Sequence, residues 1–360
     1  MNQSDDLPHC IMDATNMSLS TIQAYKYYFD GILVSVFSVI GIIANTLTII
    51  VLKQAKFKSC FYQLLFALSC FDTLFIIFGG INYANRAFDA SNILFIILFP
   101  FLIHPLTHIG MSCSIFMTLA ISIERFLGIC FPLKFPTQTR KAWFYIAPVT
   151  IISIGINIPR FFDAVLVWEE EFPYYVATPF RTSEPYIRMY QTYFNISFTA
   201  IMPLLTMLYL NIRIIFKIRN VQIKRFRSKE KMQKEANIFY ILLSVVSTFF
   251  ILYCPRIVVD IFEFLHIEEI ISCNKKRGHF QPTKLINCLI HISHFTSIFN
   301  SSINFFIYSF VGKSFRREMF NLAGCSSCKI IESSYPKYCS IYNTSLRNKT
   351  QYTKSTQNRE

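Results

Sequence analysis

The sequence predicts an all-α membrane protein, a seven-transmembrane helix bundle with a short amphipathic eighth helix, and three observations predict it. The 360 residues are 53% apolar, include 38 Phe and are only 16% charged, a balance too oily for a soluble domain of that size. Seven mostly apolar stretches, 28–52, 60–82, 93–127, 142–163, 189–217, 237–265 and 284–310, match the roughly 20 residues that a bilayer-spanning helix needs. None shows the period of two over about 10 residues that marks a barrel strand. The third observation is charge asymmetry. Segments 53–59, 128–141, 213–236 and everything after 311 carry 24 Lys and Arg against five acids, which the positive-inside rule assigns to the cytoplasm.

In chain order, residues 1–27 form a polar tail outside the cell. MNQSDDLPHC lacks the features of a cleavable signal peptide, so the first span is expected to act as its own insertion signal. Asn2 and Asn16 head N-x-S sequons in that tail and are candidate glycosylation sites. The bundle occupies 28–311, the amphipathic helix 312–324, and a polar cytoplasmic tail 325–360. The net charge of +14 divides into +19 inside, −4 outside and −1 within the membrane, so nucleic acid is not needed to explain it; membrane lipids are the expected surroundings. The three intramembrane charges are Asp72, Glu124 and Arg125.

Of 11 Cys, only Cys10 and Cys273 fall in the oxidising compartment, where they form one disulfide or remain two free thiols. A transporter would show charged residues at the midplane of repeated halves, and this chain has one midplane acid and no repeat. An enzyme reading lacks parts: no H-x-x-x-H pair has the acid that zinc hydrolysis needs. His104, His108, His291 and His294 are expected either to line an outer cavity or to be satisfied within their helices.

The stretch IERFLGICFPLK ends the third span, GIIAN ends at Asn45 and LSCFD at Asp72. The fifth span has Pro203, the sixth FFILYCP with Phe249 and Pro255, and the seventh NFFIY, Asn304 to Tyr308, before GKSFRREMF. Together these resemble the rhodopsin-like (class A) G-protein-coupled receptors over roughly 290 residues. NIPRFFD, HPLTHIGMSC and PLLTMLYLN are similar to invertebrate FMRFamide-type neuropeptide receptors. The chain departs from the wider pattern at Tyr253, where Trp is usual, at Phe305 in place of Pro, at Val149 in place of Trp, and at Asn211 where a Tyr often stands. It also has Pro100 at the usual third-helix cysteine and no Cys in 164–188, so the common bridge to the second outer loop cannot form.

The resemblance implies a multi-pass plasma-membrane receptor with an extracellular N-terminus, a heterotrimeric G protein and arrestin as partners, and no enzymatic activity. Ile298 stands where an opsin has its retinal Lys, and Thr107 where an aminergic receptor has its Asp. In the resting state Arg125 is expected to pair with Glu124 and with Glu235, 20 residues before Pro255, and to be released as the sixth helix moves outward. The alternative is a pair that only snorkels. Leu133 is expected to insert into the G protein, and Asn304 and Tyr308 to belong to the switch. Asp72, with Asn45, Ser114, Asn300, Ser301 and Asn304, resembles a sodium pocket, the alternative being a protonated Asp72 in a hydrogen-bond network. No other cofactor is implied. Cys325 and Cys328 are candidates for palmitoylation, or plain thiols.

For the ligand, the resemblance implies an amidated peptide. Acids at the expected receptor mouth, Asp163, Glu169, Glu170, Glu171, Glu184, Glu268 and Glu269, favour one carrying at least one Arg. Asp260 and Glu263 sit above Tyr253 on the last turns of the sixth helix. Asp260 can take the ligand's guanidinium or pair with Arg256 at i,i+4, and Arg256 can hold a ligand carbonyl. Phe161, Phe162 and Tyr253 would wall the site, with Thr107 and the four histidines beside it. The competing reading is a chemosensory receptor for a small molecule.

Overall fold

Apolar length decides where this chain crosses, and polar side chains decide how the crossings pack. The computed structural model describes residues 10–11, 20–54, 58–89, 92–135, 141–169, 172–224, 229–275, 279–280 and 282–322. Residues 1–313 form one compact unit and 314–360 a second. The first holds α1 (Ile22–Leu52), α2 (Cys60–Ala87), α3 (Ile93–Cys130), α4 (Trp143–Phe162) and α5 (Tyr186–Ile218), then α6 (Lys229–Leu265) and α7 (Lys284–Val311). In α6, the stretch Tyr240–Leu265 is the part apolar enough to cross.

Six of these helices are long and apolar enough to span a bilayer on composition alone. The seventh, α7, is diluted by His291, Ser293, His294, Ser301, Ser302 and Asn304, and of these Ser293, Ser301, Ser302 and Asn304 are buried. Its polarity therefore faces the bundle. The outward surface is the reverse, with Ile43, Ile151, Leu205 and Ile251 exposed, the last at 72%. Lipid tails are as apolar as these side chains, so close packing and hydrogen bonds, rather than burial of oil, hold such helices together. At Gly110 of α3 an added Cβ would lie 2.9 Å from the Phe75 backbone of α2, and only glycine permits that approach. Asn45 Nδ2 donates to the Ser301 carbonyl at 3.0 Å, and Asn157 Nδ2 to Ser112 Oγ at 2.9 Å, tying α1 to α7 and α4 to α3. Between α3, α5 and α6, Ile115, Leu119, Met207, Leu210, Phe249 and Tyr253 form the main apolar cluster.

One end of the bundle carries strands, which the all-α expectation does not include. β1 (Cys10–Ile11) pairs antiparallel with β4 (His279–Phe280), and β2 (Ala164–Glu169) with β3 (Phe172–Ala177). At this strand-bearing end the helices also loosen. α1 winds as a π-helix over Lys26–Leu33, α3 over Phe99–Ile103 and α5 over Tyr186–Phe194, a geometry that recurs at functional sites. The helix leading into α1 begins at Ser20, inside the stretch expected to be tail. α8 (Lys313–Leu322) buries Phe315 and leaves Lys313 and Arg317 exposed, the short amphipathic helix that the sequence predicts.

Candidate functional site

Asp260 is the first residue to place, because α6 buries it to 1% exposure within the last turn and a half of the helix. Arg256 Nε lies 2.9 Å from Asp260 Oδ1, the i,i+4 pairing that was one of the two sequence expectations. Neither carboxylate oxygen, however, receives a well-aligned hydrogen bond among the described residues. Glu263 is within electrostatic reach of the same guanidinium and of Arg160, so the two carboxylates of this patch share the field of two cations. The charge of Arg256 reaches further, to Tyr83 on α2, His108 on α3 and His294 on α7. Arg256 is thus the junction of the bundle's strand-bearing end. Below it Tyr253 is buried, stacked on Phe249 at 5.0 Å, with its hydroxyl donating to the Thr199 carbonyl at 3.3 Å.

Other members of the expected ligand wall are spoken for elsewhere. Thr107 donates to the Ile103 carbonyl of its own helix at 2.7 Å. His104 Nε2 lies 3.0 Å from Asp163 Oδ2, and His108 sets its ring edge against His104 at 4.8 Å. Phe162 is exposed and meets Phe180 edge-on, with centroids 6.5 Å apart, and does not join Tyr253 in one wall.

The acidic rim needs correction. Asp163 is not a rim residue: it is fully buried, accepting from Arg160 Nη1 at 3.2 Å and from the Tyr186 hydroxyl as well as facing His104. Burial pushes its carboxyl up, but the hydrogen bonds from His104 and Tyr186 and the charge of Arg160 overcome that and hold it below the usual carboxylate range. Glu184 and Glu268 share the single guanidinium of Arg188, at 3.0 Å for Glu184, so one of their two charges is answered within the protein. Glu169 ends β2; Glu170 and Glu171 lie outside the described residues.

His291 and His294 face neither Arg256 nor Tyr253 directly. His291 Nδ1 lies 2.8 Å from Asp30 Oδ2, and His294 Nδ1 3.1 Å from the same oxygen. Asp30, buried in the π-helical turn of α1, is a site residue that sequence reasoning missed, although a lone acid inside the first apolar stretch was a signal.

Nearer the middle of the bundle, Asp72 is fully buried. Ser114 Oγ donates to its Oδ1 at 2.6 Å and Asn304 Nδ2 to its Oδ2 at 2.8 Å, with the Ser301 hydroxyl also bonded to it. Asn45 Oδ1 is buried without a hydrogen-bond partner. A carboxylate, two hydroxyls and a spare amide oxygen suit a hard cation. Among the described residues Asn300 makes no hydrogen bond to this set. At the opposite end from the strands, Arg125 forks onto Glu124 through Nε and through Nη2 at 2.6 Å, and its guanidinium lies 4.6 Å from the Phe61 ring centre. Both charges are buried, so the pair does not snorkel. Tyr308 is buried, and Leu133 stands 97% exposed in the turn after α3.

Glu235 lies in α6 with its side chain outside the described residues, as are Asn2, Asn16, Cys325 and Cys328. Cys273 is buried and disulfide-bonded; the Cys10 side chain is not described, while its backbone pairs with Phe280.

The profile of the 7 transmembrane receptor (rhodopsin family) matches residues 44–308. The FMRFamide receptor of Drosophila melanogaster is 28% identical over 308 residues, covering 81% of this chain and 53% of the fly protein. The neuropeptide Y receptor type 6 of Mus musculus is 23% identical, covering 63% of this chain and 62% of its own. The type 1 receptor of Xenopus laevis is 25% identical, covering 59% and 57%. The chain therefore spans just over half the length of the fly receptor. Its matched stretch begins at the end of α1 and closes at Tyr308, and within it stand the Asp72 cluster and the Glu124–Arg125 pair; the chain belongs to the rhodopsin family of seven-transmembrane receptors.

Proposed function

We propose that this chain is a cell-surface receptor for an amidated, Arg-containing peptide of the FMRFamide kind, with the strand-bearing end outside the cell. One observation carries the reading. The buried Asp260 faces a single guanidinium side-on, with both oxygens short of aligned hydrogen bonds. A peptide guanidinium supplies the missing planar fork, while Arg256, freed in part, donates to the terminal carboxamide oxygen. The names of the fly, mouse and frog relatives, all peptide receptors, point the same way.

The test is dose-response on cells expressing the chain, read by calcium and cAMP, with an Arg-Phe-amide peptide and its free-acid form. Asp260→Asn is expected to lower potency more than tenfold, about 1.4 kcal/mol. Activation by a neutral small molecule, with Asp260→Asn indifferent, would instead establish the chemosensory alternative.

Signalling is proposed to run through the Arg125 switch. Outward movement of α6 would release Arg125 from Glu124 and Glu235 and open a cavity in which the exposed Leu133 meets a heterotrimeric G protein. Arg125→Ala should abolish activation with surface expression kept, and Glu235→Ala should raise basal signalling. Sodium, held by Asp72, Ser114, Ser301 and the free oxygen of Asn45, would supply a counter-charge that favours the resting state. Cys10 is proposed as the partner of Cys273; alkylation of a free Cys10 in non-reduced protein would refute it.

A further inference from the structure

The Asp30, His291 and His294 cluster is used by neither the peptide patch nor the switch. We propose that it is a transition-metal site that takes Zn2+ from the extracellular side and clasps α1 to α7. His291 and His294 are three apart on α7, which sets both imidazoles on one helix face. Asp30 comes from α1, 261 residues earlier than His291 in the chain. One ligand atom from each of the three lies within 4.8 Å of the others. Zinc bonds of about 2.0–2.2 Å in a tetrahedron put its ligand atoms about 3.3 Å apart. The present separations, 2.8 Å and 3.1 Å from the two Nδ1 atoms to Oδ2, need to open by only a few tenths of an ångström. In the metal-bound form each ring would carry its hydrogen on Nε2 and leave both Nδ1 lone pairs to the ion.

The surroundings suit a metal as well. The three side chains line a cavity of about 580 Å³ that extends to the exposed Asp89, which provides an entry path and water for a fourth coordination position. Tyr83 stacks on His294 with centroids 4.2 Å apart and planes 12° from parallel, fixing the ring as outer-shell partners of metal ligands do. Lys26, on the same cavity wall, is paired with Asp89 at 2.9 Å. Two imidazole nitrogens favour zinc over calcium or magnesium, which prefer oxygen throughout.

The experiment uses the full-length receptor in lipid nanodiscs without peptide. Zn2+ affinity is measured by competition with a fluorescent chelator, and coordination by the d–d absorption of bound Co2+. The wild type should bind one ion in a tetrahedral nitrogen and oxygen environment. Asp30→Asn, His291→Gln and His294→Gln should each weaken binding at least about tenfold, since even outer-shell partners are worth that much. His294→Cys keeps a ligand and should add a Co2+–thiolate charge-transfer band, a gain of signal that a misfolded receptor would not give. Absence of stoichiometric binding in the wild type, equal affinity in all variants, or no thiolate band in folded His294→Cys would each overturn the assignment. None of these readouts depends on peptide recognition.

Discussion

Asp163 and Asp260 lie at the same end of the bundle, and both are withdrawn from solvent, yet their surroundings differ. Asp163 is served by His104, Arg160 and Tyr186 from three elements. Asp260 has Arg256 beside it and no aligned hydrogen bond on either oxygen. A buried charge with its partners in place resists change, because removing it strands the others; one with spare acceptors is still open to a new donor. The first kind of acid holds structure together, and the second is the one that the proposed peptide reading uses.

The sharpest way to break that distinction is to delete each acid. Asp163→Ala should be the most damaging change, costing about 3–5 kcal/mol as expected for one member of a buried charged group, and surface expression with thermal stability in detergent would record it. Asp260→Asn should spare both measures and act on peptide potency instead. A large stability loss at Asp260, or none at Asp163, would erase the contrast. Glu169→Gln, at the exposed end of β2, should alter potency by less than about threefold, the scale of a screened surface charge.

Acid gives a finer test. The Asp163 carboxyl is held below its ordinary value by its partners, so its stabilisation is complete above the unfolded value of about 3.9 and is lost as pH falls through the lower, folded one. The stability gap between wild type and Asp163→Ala should therefore hold constant from neutral pH to about pH 5 and narrow in stronger acid.

The seven crossings and the amphipathic α8 were legible because uninterrupted apolar runs are local signals, and the Glu124–Arg125 pair because its atoms are adjacent in sequence. The Asp72 cluster was legible through its motifs. What escaped was long-range or depended on direction. Asp30 meets His291 across a separation of 261 positions, and although a lone acid in an apolar stretch marks Asp30 itself, nothing local names its partner. Asp163 was counted as a rim acid because composition gives its charge but not that Arg160, His104 and Tyr186 close around it. The β2–β3 hairpin escaped because Phe172, Pro173 and Tyr174 follow a run of glutamates and show no clean alternation.

One consequence of the Asp163 cluster concerns chemistry that the receptor is spared. Where Pro100 replaces a cysteine and 164–188 has none, the start of the hairpin is moored to α3 by charge and hydrogen bonds through His104 and Asp163. That mooring needs no oxidant to form during biosynthesis and is indifferent to thiols afterwards. A reductant that opens the bond of Cys273 would free the third outer loop while the second keeps its anchorage.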